Sequence, residues 1–286
     1  MPNQKTIKHT DIKTDGWIDR LMPKPIVPYM KLARFDRLIG TWLTLLPGYW
    51  GLVLGANGAH SQHINLYVLF LIGAILVRGA GCVVNDIWDR KLDGAVERTA
   101  TRPLASGQIS LRQGISFLFF LLSLSFAILL QLPAKAILIG CLAVVPICIY
   151  PLMKRFTYWP QLFLGLTFNL SVPIGWFSVN ENWALSPFLL YIAVVFITIG
   201  YDTVYAFQDI RDDLKVGIKS TAIKFQNSPK AFVSIMYALG TILTAFAFKD
   251  MWYCAGIIGI SAAWQIRSWD PKSPKSGLKI FKSTRT

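Results

Sequence analysis

Eight long apolar segments constrain the fold of this chain more than any other feature of its sequence. A helix needs about 20 mostly apolar residues to cross the hydrocarbon core of a bilayer, and segments of about that length occupy residues 38–56, 64–84, 113–132, 134–151, 159–179, 184–206, 231–248 and 251–266. Apolar residues make up 53% of the chain and charged residues 15%, a balance typical of membrane proteins. We therefore predict an all-α, multi-span transmembrane helical bundle in the lipid bilayer.

Lys and Arg are distributed unevenly among the connecting segments. With a cytoplasmic N-terminus, 26 of the 29 basic residues lie on the cytoplasmic side, and only Lys135, Lys249 and the intramembrane Arg78 do not. This asymmetry follows the positive-inside rule and predicts two cytoplasmic termini. A nucleic-acid-binding protein would carry its basic residues on a folded soluble domain, and no nucleic-acid partner is predicted.

The same features lead to a predicted localisation. The N-terminal tail contains one Arg before Leu32, and this composition argues against a mitochondrial presequence. We predict a multi-pass protein of the bacterial inner (plasma) membrane with its active site facing the cytoplasm, and the mitochondrial inner membrane is the alternative.

An acidic stretch, which we call the first motif, follows the second apolar segment. Residues 85–93 read N-D-I-W-D-R-K-L-D, and in a helix the spacing of Asp86, Asp89 and Asp93 points all three side chains to one face. Like charges on one face repel, and the mouth of a membrane helix solvates them poorly. The spacing therefore predicts a bound cation.

A second acidic stretch, the second motif, follows the sixth apolar segment. Asp202, Asp209 and Asp213 lie at i, i+7 and i+11, which is one stripe of a continuous helix. Carboxylate oxygens with no His or Cys nearby are the ligands of a hard cation such as Mg²⁺, which proteins hold together with substrate phosphates. We predict two facing carboxylate clusters that bind a diphosphate through Mg²⁺. Because the motifs end spans four apart, we also predict two four-helix halves around a central cavity.

The loop after the first motif, E-R-T-A-T-R-P-L-A-S-G-Q-I-S, is too polar to cross the membrane and is rich in small residues. Arg98 and Arg102 could bind phosphate oxygens bidentately, although positive-inside charge alone would also explain them. Pro103 and Gly107 are expected to order the loop, and we favour a cytoplasmic cap over the site.

Several polar side chains lie within or beside the apolar segments. Arg78 is two turns before Asp86 inside the second span, where it either serves function or pairs with a motif carboxylate. Tyr150, near the cytoplasmic face, could face a carbocation. Asn169 and Pro173 are expected to break the fifth segment and to line a cavity or link two helices.

Each basic residue beside the spans has two possible roles. Lys154 and Arg155 either bind an anion or anchor the fourth span, and Arg34 is either an interfacial anchor or a substrate ligand. Lys219 follows Asp213 by six residues, beyond Gly217, so a turn could return its ammonium to bound phosphates.

Four sequence blocks in order resemble the UbiA superfamily of intramembrane prenyltransferases. They are N-D-I-W-D-R-K-L-D, R-T-A-T-R-P-L-A-S-G, Y-P-L-M-K-R with W-P-Q, and Y-D-T-V-Y-A-F-Q-D-I-R-D-D with G-I-K-S-T-A, within a similarity from about Pro28 to Trp269. Within the superfamily they resemble the branch that prenylates 4-hydroxybenzoate in ubiquinone biosynthesis. The resemblance implies Mg²⁺-dependent transfer of a polyprenyl group from polyprenyl diphosphate to the ring carbon ortho to the hydroxyl, with release of diphosphate.

The resemblance also implies roles for individual residues. The metal ligands would be Asn85, Asp86, Asp89, Asp93, Asp209 and Asp213, and the catalytic candidates are Asp86, Asp89, Asp209, Asp213 and Tyr150. The substrate-binding candidates are Arg34, Arg78, Arg102, Lys154, Arg155, Asp202, Tyr205 and Lys219. Among these, Arg102, Lys154 and Lys219 would stabilise the departing diphosphate, and Arg155 or Arg34 would hold the benzoate carboxylate. No obligate protein partner is implied.

We predict a cytoplasmic N-terminal tail over residues 1–30, a transmembrane prenyltransferase domain over 31–269 and a polar tail over 270–286. The superfamily usually has nine spans, and the ninth is expected to be missing here. An alternative function is that of a prenyltransferase for another aromatic or quinone precursor. The alternative that is not an enzyme is a membrane transporter. A transporter would place its charges near the midplane of broken helices, whereas these acids cluster at one face, which favours the enzyme.

Overall fold

The computed structural model describes residue 12 and residues 15–57, 63–96 and 99–284, without the side chains of residues 211 and 212. This part of the chain is helical and contains no β-strand, which confirms the predicted all-α class. The α-helices are α1 (Trp17–Leu21), α2 (Val27–Leu32), α3 (Ile39–Ala56), α4 (Ile64–Ala95), α5 (Leu111–Leu129), α6 (Ala134–Ile149), α7 (Met153–Phe156), α8 (Pro160–Phe168), α9 (Ser171–Phe177), α10 (Leu185–Ala206), α11 (Ile210–Val216), α12 (Thr221–Lys224), α13 (Pro229–Ala247), α14 (Tyr253–Ser268) and α15 (Pro274–Ser283). Short 3₁₀ turns occupy Tyr150–Leu152 and Lys249–Met251.

Six helical segments of the described chain are long and apolar enough to cross a membrane. They are Ile39–Ala56, Ile64–Ala95, Leu111–Leu129, Ala134–Phe156, Leu185–Ala206 and Pro229–Ala247. The predicted span 159–179 forms two shorter helices, α8 and α9, and the predicted span 251–266 corresponds to the 16-residue α14. The structure thus supports a multi-span helical protein, and the count of eight spans is not confirmed.

The break between α8 and α9 lies at Asn169, as predicted. The Asn169 side chain is 1% exposed, and its Nδ2 donates to the Gly165 carbonyl at 2.8 Å and to Thr198 Oγ1 on α10 at 2.9 Å. A carboxamide buried among apolar helices needs such partners, because water cannot supply them there. Asn169 therefore ends α8 and links it to α10.

Contacts divide the chain into two compact units. One comprises Met1–Thr41 and Ile72–Ile128, and the other comprises Trp42–Leu71 and Leu129–Thr286. This division does not follow the predicted four-helix halves. Those halves and the predicted domain boundaries stay predictions.

The first unit has a core that joins α2, α4, α5 and the loop between α4 and α5. Its buried side chains are Leu32, Ala33, Ala80, Val83, Leu104, Ile109 and Leu121. Tyr29 of α2 packs edge-on against Phe117 of α5, with ring centroids 5.2 Å apart. The loop is therefore part of the folded unit, because two of its apolar side chains lie in the core.

The second unit is built around α10. Eleven of its 22 residues are buried, which is more than one helix face and places the helix inside the unit. Val195, Ile199 and Val204 of α10 share a core with Phe232 of α13 and Trp269 after α14. The helix that leads into the second motif is thus held on several sides.

The predicted polar C-terminal tail contains a helix. Ser273 caps α15 by accepting a hydrogen bond from the Ser276 N–H, and Pro274 occupies the first turn. Ile280 is 2% exposed and Phe281 packs on Tyr205 of α10, whereas the Lys side chains of α15 are exposed. The sequence predicted a polar tail and not this helix, because α15 has only one short apolar stripe among its lysines. Such a stripe gives a weak signal in a polar segment.

Helices α3 and α9 approach closely at a glycine. A Cβ on Gly51 would lie 2.2 Å from the Val172 carbonyl oxygen, a distance that backbone atoms cannot accommodate. We expect Gly51→Ala to destabilise the protein by about 1–3 kcal/mol, the usual cost of overpacking. The measurement is the midpoint of thermal unfolding in detergent.

The matched control for this substitution is Gly256→Ala on α14, where an added Cβ meets nothing within 4 Å. Both substitutions gain the same helix propensity from alanine, so the control should be neutral or slightly stabilising. Equal unfolding midpoints for the two variants would contradict the close approach of α3 and α9.

Candidate active site

The first motif lies on α4, which continues without interruption to Ala95. Asp86, Asp89 and Asp93 are 1%, 2% and 7% exposed, so the predicted sharing of one buried face is confirmed. Asn85 is half-buried beside them. Three carboxylates withdrawn from water require nearby positive charge.

Arg34 supplies part of this charge. Its Nη2 donates to both carboxylate oxygens of Asp86 at 3.0 Å, and its Nη1 donates to the Lys31 carbonyl at 3.0 Å. Asp86 and the Arg34 side chain are 1% and 11% exposed, so the pair is buried. The structure places Arg34 against a motif carboxylate, and its predicted role in holding the benzoate carboxylate stays untested.

The backbone of Arg34 adopts an unusual conformation. Its φ is +59°, and it ends α2 with the Arg34 N–H on the Lys31 carbonyl and the Phe35 N–H on the Met30 carbonyl. These two bonds define a Schellman motif, whose left-handed position usually holds glycine. An arginine at this position costs backbone strain of order 1 kcal/mol, which indicates that its side chain is needed there.

Arg102 neutralises the other end of the first motif. Its Nη1 lies 2.9 and 3.0 Å from the two Asp93 carboxylate oxygens and 3.3 Å from Asp86 Oδ1. One guanidinium nitrogen therefore joins two carboxylates that lie about two turns apart on the same helix face. The structure places Arg102 against the first motif, and its predicted role toward phosphate stays a prediction.

The loop that carries Arg102 is ordered by local hydrogen bonds. Thr99 Oγ1 donates to the Asp93 carbonyl at 2.9 Å, and the Ser106 N–H donates to the Arg102 carbonyl at 2.8 Å. Gly107 takes a left-handed φ of +78°, as the turn requires. The prediction that this loop is ordered is confirmed for the residues that follow Arg98. Arg98 itself lies outside the described residues.

Arg78 lies about two turns before the motif on the same helix. Its Nη1 contacts Cys82 Sγ, and its guanidinium occupies the space where a side chain at Gly40 would be. The absence of a side chain at Gly40 therefore admits Arg78 between α3 and α4. The two predicted explanations for Arg78, function or a pair with a carboxylate, stay open.

A second ion pair supports the segment that presents Arg34. Lys31 Nζ lies 2.5 Å from Asp19 Oδ1 and ties α2 to α1. The hydrogen bond from Lys31 holds the pKa of the Asp19 carboxyl below its usual range. Because the Lys31 carbonyl also accepts from Arg34, the N-terminal segment contributes to the position of that arginine.

The second motif differs from its prediction. Helix α10 ends at Ala206, and the N–H groups of Gln208 and Asp209 donate to carbonyls three residues back instead of four. Asp209 then becomes the N-terminal cap position of α11, for which aspartate is well suited. The prediction of one continuous helix through Asp202, Asp209 and Asp213 is therefore wrong, because this tighter turn separates Asp202 from the other two.

Two candidate substrate residues lie on the last turns of α10. Asp202 and Tyr205 are both half-buried. The Tyr205 ring lies 4.5 Å from the ring of Phe281 on α15. The C-terminal helix thus packs beside the second motif, a contact that sequence reasoning missed because Phe281 is 76 residues further along the chain.

Predicted anion-binding residues meet in the second unit, where the segment after α11 is tied to α7 and α8. The Lys219 N–H donates to the Lys154 carbonyl at 2.8 Å, and the Thr221 N–H donates to Gln161 Oε1 at 3.0 Å. Thr203 and Thr221 share a hydroxyl hydrogen bond of 2.6 Å, which ties the same loop to α10. Gln161 and the two threonines were missed, because an isolated Gln or Thr carries no sequence signal.

The Lys219 ammonium contacts the end of α7 and the residues after it. Its Nζ donates to the Phe156 carbonyl at 3.2 Å and lies 5.6 Å from the centroid of the Tyr158 ring. The turn at Gly217, with φ of +72°, forms as expected but directs the chain toward the segment after α6. The predicted contact of Lys219 with phosphate stays a prediction.

The remaining candidates lie beside the same segment. Tyr150 packs edge-on against Phe168, with centroids 5.5 Å apart, and Lys154 is half-buried. Arg155 is exposed. The structure therefore places Tyr150, Lys154, Arg155 and Lys219 around one stretch of the second unit, and their roles toward substrate stay predictions.

The donor set of the first motif fits Mg²⁺ by its chemistry. Within the described residues, no three His, Cys, Asp or Glu side chains are arranged to hold a metal ion. At the first motif, the Arg102 Nη1 lies between Asp86 and Asp93 instead. Buried oxygen ligands that already attract cationic groups are suited to a hard divalent cation.

Comparisons with known proteins give a consistent result. The profile of the UbiA prenyltransferase family matches residues 44–284. A protein of Arabidopsis thaliana named 4-hydroxybenzoate polyprenyltransferase, mitochondrial, is 40% identical over 96% of this chain and 69% of its own length. The Homo sapiens protein of the same name is 41% identical over 92% of this chain and 73% of its own length.

Solved structures share the fold. A UbiA homolog from Archaeoglobus fulgidus bound to DMAPP and Mg²⁺ superposes with a TM-score of 0.68 over 90% of this chain and 97% of that one, at 19% sequence identity. At this level of identity, the similarity concerns the fold alone.

The predicted bacterial inner membrane is contradicted, because both relatives are named as mitochondrial enzymes. The asymmetry of Lys and Arg reports which face of a membrane a loop occupies, and it carries no information about which membrane that is.

The bond between Thr221 and Gln161 offers a test of how the Lys219 loop is held. In Gln161→Leu the buried Thr221 N–H loses its acceptor, which costs about 1–3 kcal/mol. We expect faster amide hydrogen exchange over residues 217–224, measured by mass spectrometry. Gln161→Glu retains an acceptor oxygen and should preserve the protection, and equal exchange in both variants would contradict the role assigned to this bond.

Proposed function

Since this chain belongs to the UbiA prenyltransferase family, we propose that it is an Mg²⁺-dependent 4-hydroxybenzoate polyprenyltransferase of ubiquinone biosynthesis. It transfers a polyprenyl group from polyprenyl diphosphate to the ring carbon ortho to the hydroxyl of 4-hydroxybenzoate and releases diphosphate. Relatives about 40% identical over most of the chain carry this name.

The structural observation that carries the proposal is the first motif. Asp86, Asp89 and Asp93 are buried on one face of α4, and two of them are held by arginines. Soluble acidic turns do not bury three carboxylates together, because the desolvation cost is too large without bound cations. The metal ions that accompany a diphosphate supply the positive charge that three buried carboxylates need.

The motif residues would hold the metal. Asn85, Asp86, Asp89 and Asp93 of the first motif and Asp209 and Asp213 of the second are the proposed ligands, and the Asp side chains are the catalytic candidates. When bound, Mg²⁺ would neutralise the charge that develops on the leaving diphosphate.

Basic side chains would bind the diphosphate oxygens directly. Arg102, Lys154 and Lys219 are the proposed ligands, since guanidinium and ammonium groups interact more strongly as negative charge develops on the leaving group. Arg78, Asp202 and Tyr205 are proposed as further substrate contacts, and Arg155 as the partner of the benzoate carboxylate.

The reaction balances without a redox partner. The C–O bond of the prenyl diphosphate breaks with its electron pair on oxygen, the ring carbon forms a C–C bond to the allylic carbon, and the ring hydrogen leaves as a proton. The Tyr150 ring is proposed to face the allylic cation, whose charge an aromatic face stabilises. Lipid surrounds the apolar prenyl chain, and we propose a mitochondrial membrane as the location.

The activity is tested in membranes that contain the protein. With Mg²⁺, a polyprenyl diphosphate and 4-hydroxybenzoate, the prenylated acid should form in a 1:1 ratio with diphosphate, and chelation of the metal should stop both. A panel of other aromatic acceptors then examines specificity. Diphosphate release with an acceptor other than 4-hydroxybenzoate, and none with it, would contradict the proposed substrate.

Neutralisation of one ligand in either motif should abolish turnover. Asp86→Asn and Asp209→Asn each remove a negative charge that holds a divalent ion, and we expect product to fall by at least about 100-fold while the protein still inserts in the membrane. Product formation is measured at equal protein levels.

The control for both variants is Asp250→Asn, an exposed acid in the 3₁₀ turn between α13 and α14. It changes the formal charge equally and should leave turnover unchanged. Near-normal turnover in Asp86→Asn or Asp209→Asn would show that the motifs do not hold the metal.

Lys219 should act on the prenyl donor rather than the acceptor. As a point charge on a leaving group, its loss in Lys219→Ala is expected to lower turnover and raise the donor KM. Kinetics with each substrate varied in turn provide the measurement. A defect confined to the acceptor KM, or no defect, would remove Lys219 from the diphosphate site.

A further inference from the structure

We propose that Arg34 and Arg102 hold the carboxylates of the first motif when no metal is bound, and transfer to diphosphate oxygens when diphosphate and metal bind. The divalent cation and the diphosphate would then bind in a strongly coupled manner, and the cation alone would bind weakly. The inference rests on the proposed function and assigns Arg34 to the diphosphate in place of the benzoate carboxylate.

The geometry of the contacts suits exchange. Arg34 uses one nitrogen, Nη2, for both oxygens of Asp86, and Arg102 uses one nitrogen, Nη1, for the three oxygens it contacts on Asp86 and Asp93. The strongest guanidinium–carboxylate pairs use two parallel N–H donors. Contacts through a single shared nitrogen are weaker, and a phosphate that offers two oxygens could replace them.

The charges of the first motif support the same conclusion. Its three carboxylates carry a formal charge of −3, and the two guanidinium groups that contact them carry +2, so these five groups sum to −1. The arginines thus remove most of the repulsion among buried carboxylates in the absence of metal.

A divalent cation that arrives alone would have to compete with these arginines. The Arg34 side chain is 11% exposed, so its guanidinium, once displaced from Asp86, would remain buried without that counter-charge, which is strongly unfavourable. A diphosphate removes this penalty, because it accepts the guanidinium groups and leaves the carboxylates to the metal. By linkage, each ligand then raises the affinity of the other by the same factor.

The backbone of Arg34 keeps this residue in place for the exchange. The left-handed φ sets the direction of its backbone, and the bond from its Nη1 to the Lys31 carbonyl holds the guanidinium independently of Asp86. The Lys31 ammonium is itself held by Asp19. Arg34 can therefore turn its Nη2 from Asp86 to a diphosphate oxygen without leaving the site.

Metal binding tests the proposal without turnover. The probe is Mn²⁺ alone, titrated into purified protein in detergent, with free Mn²⁺ measured by electron paramagnetic resonance. Arg34→Gln and Arg102→Gln remove the competing charge, and each should tighten the binding of Mn²⁺ alone by about fivefold or more, within the usual range of coupling between two sites. Arg34→Lys keeps a positive charge and should stay near wild type.

The coupling itself is measured with radiolabelled inorganic diphosphate at two free Mn²⁺ concentrations set by a metal buffer. In the wild type, Mn²⁺ should increase diphosphate affinity at least about tenfold, and the factor should shrink in Arg34→Gln and Arg102→Gln. Arg90→Gln is the matched control, because Arg90 is an exposed arginine within the same motif. This control should preserve both the Mn²⁺ affinity and the coupling.

The outcomes separate the two proposals. Weakened or unchanged Mn²⁺ binding in folded Arg34→Gln and Arg102→Gln, judged by thermal unfolding, would overturn the exchange. Tight binding of Mn²⁺ alone to the wild type, with no effect of diphosphate, would also overturn it and leave the proposed function intact. Failure of the wild type to bind Mn²⁺ and diphosphate under any condition would instead contradict the proposed function.

Discussion

The burial of three carboxylates on one helix face is the constraint on which the first unit depends. A carboxylate that leaves water must find positive charge or become protonated, and here Asp86 and Asp93 find it in Arg34 and Arg102. These arginines come from segments on both sides of α4 in sequence, one before α3 and one after α4. The electrostatic requirement of α4 therefore determines how the segment after α2 and the loop before α5 fold against it.

The second motif is positioned by different means. Hydrogen bonds from the Lys219 and Thr221 amides attach its following loop to the segment around α7 and α8, and a hydroxyl pair attaches it to α10. Neutral hydrogen bonds in a buried setting fix direction more than they contribute net stability. Arginine–carboxylate pairs thus hold the first motif, and hydrogen bonds hold the loop after the second motif, within two units that each have their own core.

Local patterns account for the parts that could be predicted from the sequence. Helical spacing correctly predicted that Asp86, Asp89 and Asp93 share one face, because α4 is uninterrupted. A polar Asn169 within an apolar segment correctly predicted the break between α8 and α9. The same spacing failed at Asp209, where a tighter turn intervenes that no periodicity reveals. Contacts such as Arg34 with Asp86, or Phe281 with Tyr205, depend on tertiary packing across 52 and 76 residues.

The close approach of Gly51 to Val172 has a consequence for how the protein is made. Residues 42–71 belong to the unit that also contains residues 129–286, so α3 is synthesised long before the helix it packs against. Translation at about 5–20 residues per second leaves an interval of roughly 6–24 s between the synthesis of the two helices. During biogenesis, the glycine face of α3 must therefore be covered by lipid or by an insertion factor, and its partner must later displace that cover.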